Sequence, residues 1–287
     1  MNETSFYDLT FPELQDLLKE RGLNAYQATA LFKNSYKKTR PKELSERALN
    51  FVKTELTPFT PRPLKVQKSL DGTVKFLLQV RRGHSIETVL IPFHKKYTVC
   101  LSSQVGCAMG CEFCYTAKQG FTRHLSAGEI VSQYDFAYQW LKDNVDPEAI
   151  KPNIVYMGQG EPLHNFTEIK KATEIFLTPE GLHLGPRQIT LSTIGVPKAF
   201  RRLDEMPPIN LALSLHSPFE KERNQLIPMG RSFPLDEILE TLDAVPLKKR
   251  QFITFEYLIV KDLNHTTQHA EALAERLKER RAIVNLI

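Results

Sequence analysis

Three cysteines stand within eight residues of one another, from Cys107 to Cys114, in a C-x3-C-x2-C spacing. The segment follows a predicted strand, and Gly110 between the cysteines allows so short a loop to fold tightly. The chain has four cysteines in all, and the fourth, Cys100, stands only seven residues before the first of the three. Because a secreted disulfide framework spreads its cysteines along the chain, this crowding favours metal or redox chemistry.

Two kinds of metal site fit three thiolates at this spacing. In a cubane iron–sulfur cluster, three cysteine ligands leave one iron open, and an open iron binds a substrate or cofactor directly. In a zinc site, His124 would have to supply the fourth ligand, yet zinc sites usually have paired C-x2-C knuckles and the sequence has no second one. We therefore predict a [4Fe-4S] cluster held by Cys107, Cys111 and Cys114, with zinc as the alternative.

The composition excludes several classes of protein. Of the 287 residues, 41% are hydrophobic and 25% are charged, which is ordinary for a globular chain and is enough to bury a core without disulfides. No apolar run approaches the roughly 18–20 residues that span a bilayer, and the N-terminus lacks the basic and apolar regions of a secretory signal. We expect a cytoplasmic protein that binds no membrane. The net charge of +5 permits nucleic-acid binding without requiring it.

A proline-rich stretch at residues 57–63 divides the chain, because its prolines cannot continue a helix. Before it, three helices are predicted, which begin at Thr10, at Asn24 and near Glu43. After it, residues 64–99 are rich in strand-forming residues. We therefore predict a helical N-terminal domain over 1–60, a β-rich linker over 61–97 and a third domain over 98–287.

Strand and helix alternate from residue 98 onward. The predicted strands are 98–103, 153–157, 188–192, 210–215, 252–260 and 282–287. The predicted helices between them are 126–142, 167–177, 196–204, 234–243 and 267–280. Six strands separated by five helices predict an α/β fold, either a parallel sheet or an open barrel built from βα units. In such folds the chemistry lies in loops after the carboxyl ends of the strands, which is where the cysteine loop stands.

Several segments around the cysteines resemble one family of enzymes. The stretch from Cys100 to Arg123 is closely similar to the RlmN/Cfr family of radical S-adenosylmethionine (SAM) methyltransferases, which act on adenosine in ribosomal RNA. Further matches to this family occur, in the family's order, at residues 86–89, 158–163, 189–193, 213–216 and 255–257. The resemblance covers nearly the whole chain. It implies a partial (βα)6 radical SAM barrel, preceded by a helical domain that helps to capture structured RNA.

The resemblance also implies roles for residues near the strand ends. It implies that the cluster is held by Cys107, Cys111 and Cys114 and that the open iron of the cluster binds SAM. Electron transfer from the reduced cluster would then generate a 5′-deoxyadenosyl radical. The residues implied to bind SAM are Gly160, Glu161, Ser192, Ser214, Leu215 and His216. From the residues alone, a glutamate in such a turn is more often solvated, and a histidine at a strand end is more often structural.

Two residues before the cysteine loop are implied to take part in the chemistry. Glu87 matches the family's general base, which accepts the proton that alkylation of an aromatic carbon must release. Cys100 matches the cysteine that resolves a covalent protein–RNA intermediate, by forming a disulfide with a second, methyl-carrying cysteine near the C-terminus. The alternatives from the residues alone are an exposed strand glutamate and a plain core thiol.

The sequence departs from the family in one respect, since no cysteine follows Cys114. If Ile287 ends the natural chain, we expect the methyl-carrying cysteine to come from a partner, as in a split enzyme, or the chain to be a catalytically incomplete iron–sulfur RNA-binding paralogue. Otherwise we expect methylation of adenosine C2 in 23S rRNA and tRNA, with a Cfr-type C8 enzyme or a zinc-binding RNA module as alternatives. The expected partners are these RNAs and an electron donor such as flavodoxin or ferredoxin, and we expect a monomer.

Four basic clusters are candidate phosphate contacts for such an RNA, although each is by default a solvated surface. They are Lys37–Arg40, Arg81–Arg82, Lys95–Lys96 and Lys248–Arg250.

Overall fold

The computed structural model describes residues 4–94, 96–248 and 251–287. The α-helices of these ranges are α1 (Phe11–Glu20), α2 (Gln27–Lys37), α3 (Glu46–Glu55), α4 (Tyr115–Lys118), α5 (Ala127–Asn144), α6 (Phe166–Leu177), α7 (Pro197–Phe200), α8 (Glu220–Leu226), α9 (Leu235–Asp243) and α10 (Thr267–Leu277). The strands are β1 (Arg62–Lys68), β2 (Val74–Gln79), β3 (Ser85–Phe93), β4 (Lys96–Cys100), β5 (Gln104–Gly106), β6 (Phe121–His124), β7 (Asn153–Tyr156), β8 (Ile189–Thr193), β9 (Asn210–Ser214), β10 (Ile253–Tyr257) and β11 (Ala282–Leu286). Among these helices, none is long and apolar enough to cross a membrane.

One sheet contains nine of these strands, in the order β1-β2-β3-β4-β7-β8-β9-β10-β11. The strands from β4 to β11 in that order run parallel to one another, with helices in the connections between them. The strands β1, β2 and β3 extend the sheet beyond β4 with antiparallel pairing. The parallel strands lie where the sequence predicts strands, so the partial (βα)6 barrel is confirmed. The hairpin of β5 and β6 and the helix α8 were not predicted.

The first helix begins and ends where the sequence predicts. The Thr10 hydroxyl accepts from the N–H of Glu13, and the Glu13 carboxylate accepts from the N–H of Thr10 at 2.7 Å, which together form a capping box. Gly22 follows the helix at φ +63°, a conformation that favours glycine. The second helix begins later than Asn24, because the Asn24 side chain accepts from the N–H of Tyr26 and forms a turn of its own.

The helical N-terminal segment packs directly against the α/β part. The buried apolar core extends over both, from Phe6 to Leu277. Asp8 accepts a hydrogen bond from the N–H of Gly128 at the start of α5, at 2.7 Å, and forms an ion pair with Arg81 at 2.8 Å. The N-terminus of a helix stabilises such a carboxylate. The division at 1–60, 61–97 and 98–287 stays a prediction.

The strands present two different faces. The side chains buried beneath the helices include those of Ile86, Val99, Ile154, Leu191, Leu213 and Phe255. Their neighbours along each strand point the other way, because successive side chains of a strand alternate. We call this second surface the inner face; it carries Glu87, Cys100, Ser192, Ser214 and Glu256. The register pairs support this assignment, since Ser214 lies beside Glu256 in the parallel sheet.

Candidate functional site

The cysteine loop is held in place by close backbone contacts. The N–H of Cys107 donates to the carbonyl of Gly120 at 2.9 Å, where β5 and β6 pair. Gly106 has φ +73°, and a Cβ there would lie 1.8 Å from the Gly120 carbonyl oxygen, so glycine is required. The N–H of Cys114 donates to the carbonyl of Cys111 at 3.1 Å, which turns the chain between them.

The three thiols share one apolar environment. Cys107 and Cys111 are buried in a small cluster, and Cys114 packs against it. The other buried members of the cluster are Met109, Ile194, Leu226 and Ile227. Burial raises the pKa of Cys107, and burial together with the neighbouring Cys107 and Cys114 thiols raises the pKa of Cys111 to about 12. Such thiols stay protonated near neutral pH until a metal displaces their protons.

The buried side chain of Arg223 indicates that the surroundings of the three thiols suit a negatively charged group. The guanidinium of Arg223 is buried, and its Nε and Nη1 have no hydrogen-bond partner among the described residues. Its charge acts on the Cys111 thiol. An unpaired buried cation is costly, whereas thiolates that ligate iron carry negative charge. The donor set and the unpartnered N–H groups therefore fit a thiolate-ligated iron–sulfur cluster.

The zinc alternative finds no support in the geometry. In the part of the chain that the structure describes, no three His, Cys, Asp or Glu side chains converge closely enough to hold a single ion. A cubane cluster does not need such convergence, because each thiolate binds a different iron. The Nδ1 of His124 lies 3.0 Å from Nε2 of Gln104, and its ring contacts those of Phe121 and His164. His124 therefore belongs to a histidine pair beside the β5–β6 hairpin.

The loop after β7 passes against the segment that follows β4. A Cβ on Gly158 would lie 2.7 Å from the Leu101 backbone, and one on Gly160 would lie 2.6 Å from side-chain atoms of Ser103 and Gln104. Gly160 also has φ +99°, which side chains rarely tolerate. The two glycines therefore allow this loop to approach the backbone that leads into the cysteine loop.

Glu161 is buried in the structure and is not solvated. Its Oε1 accepts from Thr193 Oγ1 at 2.6 Å and from the N–H of Leu163 at 3.0 Å, and its Oε2 accepts from the N–H of Ile194 at 3.1 Å. Burial raises the pKa of Glu161 to about 7, while these hydrogen bonds act in the opposite direction. The carboxyl group ties the loop after β7 to the end of β8, and its contact with the cofactor's ammonium stays a prediction.

His216 follows β9 in a left-handed backbone conformation, with φ +59°. Its Nδ1 accepts from the N–H of Leu258 at 3.0 Å, and its ring meets that of Phe113 edge to face, with centroids 4.8 Å apart. Burial, with a further effect of Arg223, lowers the pKa of His216 to about 4, so the ring is neutral near pH 7. This neutral ring connects the strand end to the cysteine loop, whereas Leu215 beside it is buried in the apolar core.

The hydroxyls of Ser192 and Ser214 lie on the inner face at the carboxyl ends of β8 and β9. Ser192 pairs with Ala212, and Ser214 pairs with Glu256. Both serines are half-buried. Neither hydroxyl donates to or accepts from another described residue. They are therefore free to bind a ligand, and their role in cofactor binding stays a prediction.

Glu87 and Cys100 lie on the inner face of neighbouring antiparallel strands. Cys100 pairs with Val89, and Glu87 precedes Val89 by two positions on β3, so the two are diagonal neighbours, about 7–8 Å apart. Glu87 forms a half-exposed ion pair with Lys75 at 2.9 Å. Burial raises the pKa of Cys100 to about 11. The register thus places on one face the two residues to which the family resemblance assigns chemistry.

Sequence reasoning missed three residues that help to build the site. Arg223 lies in a helix that was not predicted, so no signal pointed to it. Gln104 accepts from the N–H of Glu161 at 2.9 Å through its side chain. Glu256 accepts from the Asn285 side chain at 2.6 Å. The signal for Glu256 was present, because a carboxylate between two buried aromatic residues of a strand must face the opposite side.

Several members of the predicted basic clusters are engaged within the protein, since Lys37 donates to the carbonyl of Pro179 at 3.3 Å and Arg40 forms an ion pair with Glu46. Lys38 forms an ion pair with Asp135 at 3.1 Å, and Arg81 forms one with Asp8. These two cations therefore stabilise the packing of the N-terminal helices. Three further members lie outside the described residues, namely Lys95, Lys249 and Arg250.

Comparisons with protein families and with known proteins find relatives over most of the chain. Residues 101–277 match a family described as the radical SAM superfamily. The dual-specificity RNA methyltransferase RlmN of Lawsonia intracellularis is 46% identical over 232 residues, which cover 79% of this chain and 65% of that protein. The probable dual-specificity RNA methyltransferase RlmN of Parabacteroides distasonis is 40% identical over 286 residues, which cover 97% of this chain and 80% of that protein.

A solved structure has the same fold over almost the whole chain. The crystal structure of a radical SAM methyltransferase from Sphaerobacter thermophilus is similar to it with a TM-score of 0.87 and 35% sequence identity. The similarity covers 99% of this chain and 84% of that chain. The antiparallel strands and N-terminal helices are therefore shared with that protein, in addition to the parallel strands.

Proposed function

Since this chain belongs to the radical SAM superfamily, and within it to the RlmN family of RNA methyltransferases, we propose that it methylates C2 of adenosine in 23S rRNA and tRNA. Family membership makes it an enzyme with a [4Fe-4S] cluster and SAM as cofactors. Support for the two RNA substrates comes from the relatives, which are named dual-specificity RNA methyltransferases. The observation that carries the proposal is that Glu87 and Cys100 occupy diagonal positions on the same face of β3 and β4.

Cys107, Cys111 and Cys114 are the residues that would hold the cluster. When bound, the cluster and SAM supply a 5′-deoxyadenosyl radical and the methyl group. The part of the protein is to keep this chemistry away from water, since Met109 and Ile194 surround the thiols with apolar side chains. The backbone contacts of the cysteine loop hold the thiols in position before any cofactor enters.

The strand ends beside the loop provide donors for SAM. The hydroxyls of Ser192 and Ser214 lie on the inner face and can donate to its carboxylate. The neutral ring of His216 keeps an N–H at Nε2, because Nδ1 accepts from the N–H of Leu258. Leu215 contributes through its backbone, since its side chain lies in the core. The hydrogen bonds of Glu161 hold the preceding Gly160 in place, so that its backbone can approach the cofactor.

Glu87 is assigned as the base that accepts the proton released from the adenine carbon. Its carboxylate is half-exposed on the inner face, where a substrate can reach it. The ion pair with Lys75, at 2.9 Å, holds the carboxylate at the surface of the sheet. A positioned base of this kind contributes about 10²–10⁴-fold to the rate.

Cys100 is assigned to resolve the enzyme–RNA intermediate by forming a disulfide with the methyl-carrying cysteine, which is not among these 287 residues because no cysteine follows Cys114. Its pKa of about 11 keeps it a protonated thiol near neutral pH, so it needs a base before it can attack. Glu87 is its diagonal neighbour on the inner face. The two side chains thus form one reactive surface, to which a target adenine must be brought out of its stack.

Analysis of the RNA product tests the proposal. The protein is reconstituted anaerobically with iron and sulfide and incubated with SAM, a reductant and either 23S rRNA or tRNA. Mass spectrometry of the digested RNA, against 2-methyladenosine and 8-methyladenosine standards, identifies the product. We expect 2-methyladenosine in both RNAs and none with the Cys111→Ala variant.

Other outcomes would point elsewhere. Only 8-methyladenosine would contradict the C2 assignment and indicate a Cfr-type reaction. Binding of RNA and cleavage of SAM without any methylated nucleoside would contradict methyl transfer by these 287 residues alone. It would favour either the non-catalytic RNA-binding alternative or a methyl-carrying cysteine supplied by a partner.

A further inference from the structure

Arg223 is a buried cation whose hydrogen bonds satisfy only one of its three nitrogens. Its side chain is 1% exposed. Nη2 donates to the backbone carbonyls of Ile194 at 2.7 Å and of Ser214 at 3.1 Å, and so connects the ends of β8 and β9. The Nε and Nη1 atoms are buried, and no described residue accepts a hydrogen bond from either.

Arg223 also lacks a carboxylate partner. Over residues 4–94, 96–248 and 251–287, no carboxylate oxygen lies within 4.0 Å of its guanidinium. Glu220, at the start of the same helix, is half-buried and acts on Arg223 only through space. An uncompensated buried charge is costly to a protein, by several kcal/mol. A negatively charged group next to Arg223 would offset this cost.

The cysteine loop lies next to it. Leu226, in the same helix as Arg223, packs in the apolar cluster with Cys107 and Cys111. The carbonyl of Leu226 accepts from the N–H of Glu112, inside the cysteine loop, at 3.0 Å. Arg223 also acts to lower the pKa of Cys111, against the larger effects of burial and the neighbouring thiols. The unpaired cation and the three thiols thus belong to one buried region.

We propose that Arg223 is a positioning residue whose fixed positive charge balances the thiolates of Cys107, Cys111 and Cys114 and makes the cluster they hold easier to reduce. This rests on the proposed function, because it presupposes the cluster. One-electron reduction by an external donor adds one negative charge to the site. A cation fixed nearby stabilises the reduced form more than the oxidised form, and low-dielectric surroundings strengthen that preference.

Asn224 offers a way to neutralise this charge without removing it. Its Oδ1 is buried and has no hydrogen-bond partner among the described residues. A Cβ built on Gly230 would lie 2.2 Å from Asn224 Oδ1 and 3.0 Å from Arg223 Nη1, so the two atoms lie against the same glycine. Asn224→Asp is isosteric and places a carboxylate beside Nη1, while Arg223 keeps its bonds to the two strand ends.

The test is a redox titration of the reconstituted cluster in the absence of RNA. Dithionite is the reductant, and electron paramagnetic resonance measures the amount of reduced cluster at each potential. At a fixed applied potential, we expect the ratio of reduced to oxidised cluster to fall about tenfold in Arg223→Gln and in Asn224→Asp. Arg223→Lys keeps the charge and is expected to stay near the parent. Asn144→Asp is the matched control, because it adds the same charge on the exposed end of α5.

Each outcome decides the inference. A full iron content with an unchanged ratio in both neutralising variants would overturn it, and so would a change in Arg223→Lys as large as that in Arg223→Gln. If Arg223→Gln fails to fold, as circular dichroism would show, Asn224→Asp decides alone. A parent protein that takes up no cluster would overturn the proposed function as well, whereas an unchanged ratio in a loaded protein overturns this inference only.

Discussion

The carboxylate of Glu161 accepts a hydrogen bond from the hydroxyl of Thr193 at 2.6 Å, and this contact joins the loop after β7 to the end of β8. The same Thr193 hydroxyl accepts from the N–H of Gly195, so one side chain organises both segments. Because the carboxylate is buried, its hydrogen bonds compensate for its loss of hydration. The position of the predicted cofactor loop therefore depends on a pair of residues at adjacent strand ends.

Thr193→Val removes this hydroxyl and leaves the carboxylate under-satisfied. We expect a loss of about 1–3 kcal/mol in the free energy of unfolding, measured by urea denaturation, together with weaker binding of SAM. Thr190→Val is the matched control on the same strand, because its hydroxyl has no side-chain partner among the described residues. It is expected to change stability by no more than about 0.5 kcal/mol. Equal losses in the two variants would contradict this account of Glu161.

Gly160→Ala tests the close approach of the cofactor loop. The added Cβ would lie 2.6 Å from side-chain atoms of Ser103 and Gln104, in a backbone conformation that already disfavours alanine. Gly120→Ala has a similar positive φ but open space around the Cβ, so it isolates the backbone effect. By urea denaturation we expect Gly160→Ala to cost about 1–3 kcal/mol more than Gly120→Ala. Equal denaturation midpoints for the two variants would contradict this expectation, because they would show that the loop after β7 accommodates the added Cβ without loss of stability.

The pH dependence of stability is expected to report on His216. Its pKa is about 4 in the folded protein and near 6.5 when unfolded, because burial and then Arg223 disfavour the charged ring. The unfolded state therefore binds more protons between these values. The contribution of His216 to the free energy of unfolding is therefore fully present above pH 6.5, and it decreases by about 3 kcal/mol as the pH falls towards 4.

His216→Asn is the variant that isolates this effect. Asparagine tolerates the positive φ, and its side-chain oxygen can accept from the N–H of Leu258 in place of Nδ1. Urea denaturation at a series of pH values should show a flatter profile between pH 4 and 6.5 for the variant. A profile as steep as that of the parent would show that other groups cause the loss.

Glu87→Gln should separate methyl transfer from the activation of SAM. The amide keeps the size of the side chain but cannot accept the proton, so we expect about 10²–10⁴-fold slower formation of methylated RNA. Cleavage of SAM should continue, since the cysteine loop is unchanged. Lys75→Gln breaks the same ion pair but keeps the carboxylate, and it is expected to have the smaller effect. Chromatography of 5′-deoxyadenosine and of methylated nucleosides measures both reactions; parallel losses would contradict the assignment.

Local signals in the sequence were sufficient for most of the fold. The capping box of Thr10 and the alternation of strands and helices after residue 98 are determined by neighbouring residues, so they could be predicted. Boundaries were less accurate. The strand predicted at 98–103 ends at Cys100, because Gln133 of α5 takes over the backbone hydrogen bonds of Ser102 through its side chain. Such a long-range replacement leaves no local pattern.

The site was predictable where a motif carried it and not where packing built it. The cysteine spacing identified the candidate cluster ligands, whereas the position of Glu87 relative to Cys100 depends on the register of β3 against β4, which the sequence does not specify. Arg223 escaped notice because a charged residue in a short helix is ordinarily exposed. Its burial results from the contact of α8 with the cysteine loop, which joins segments more than a hundred residues apart in the sequence.

The cluster assignment is tested most directly by the electron paramagnetic resonance spectrum of the anaerobically reconstituted, dithionite-reduced protein, recorded with and without SAM. We expect about four iron atoms per chain, a reduced-cluster signal that changes when SAM binds the open iron, and no signal from the variant with alanine at Cys107, Cys111 and Cys114. Iron that remains bound in that triple variant, or a reduced-cluster signal unaffected by saturating SAM, would contradict it.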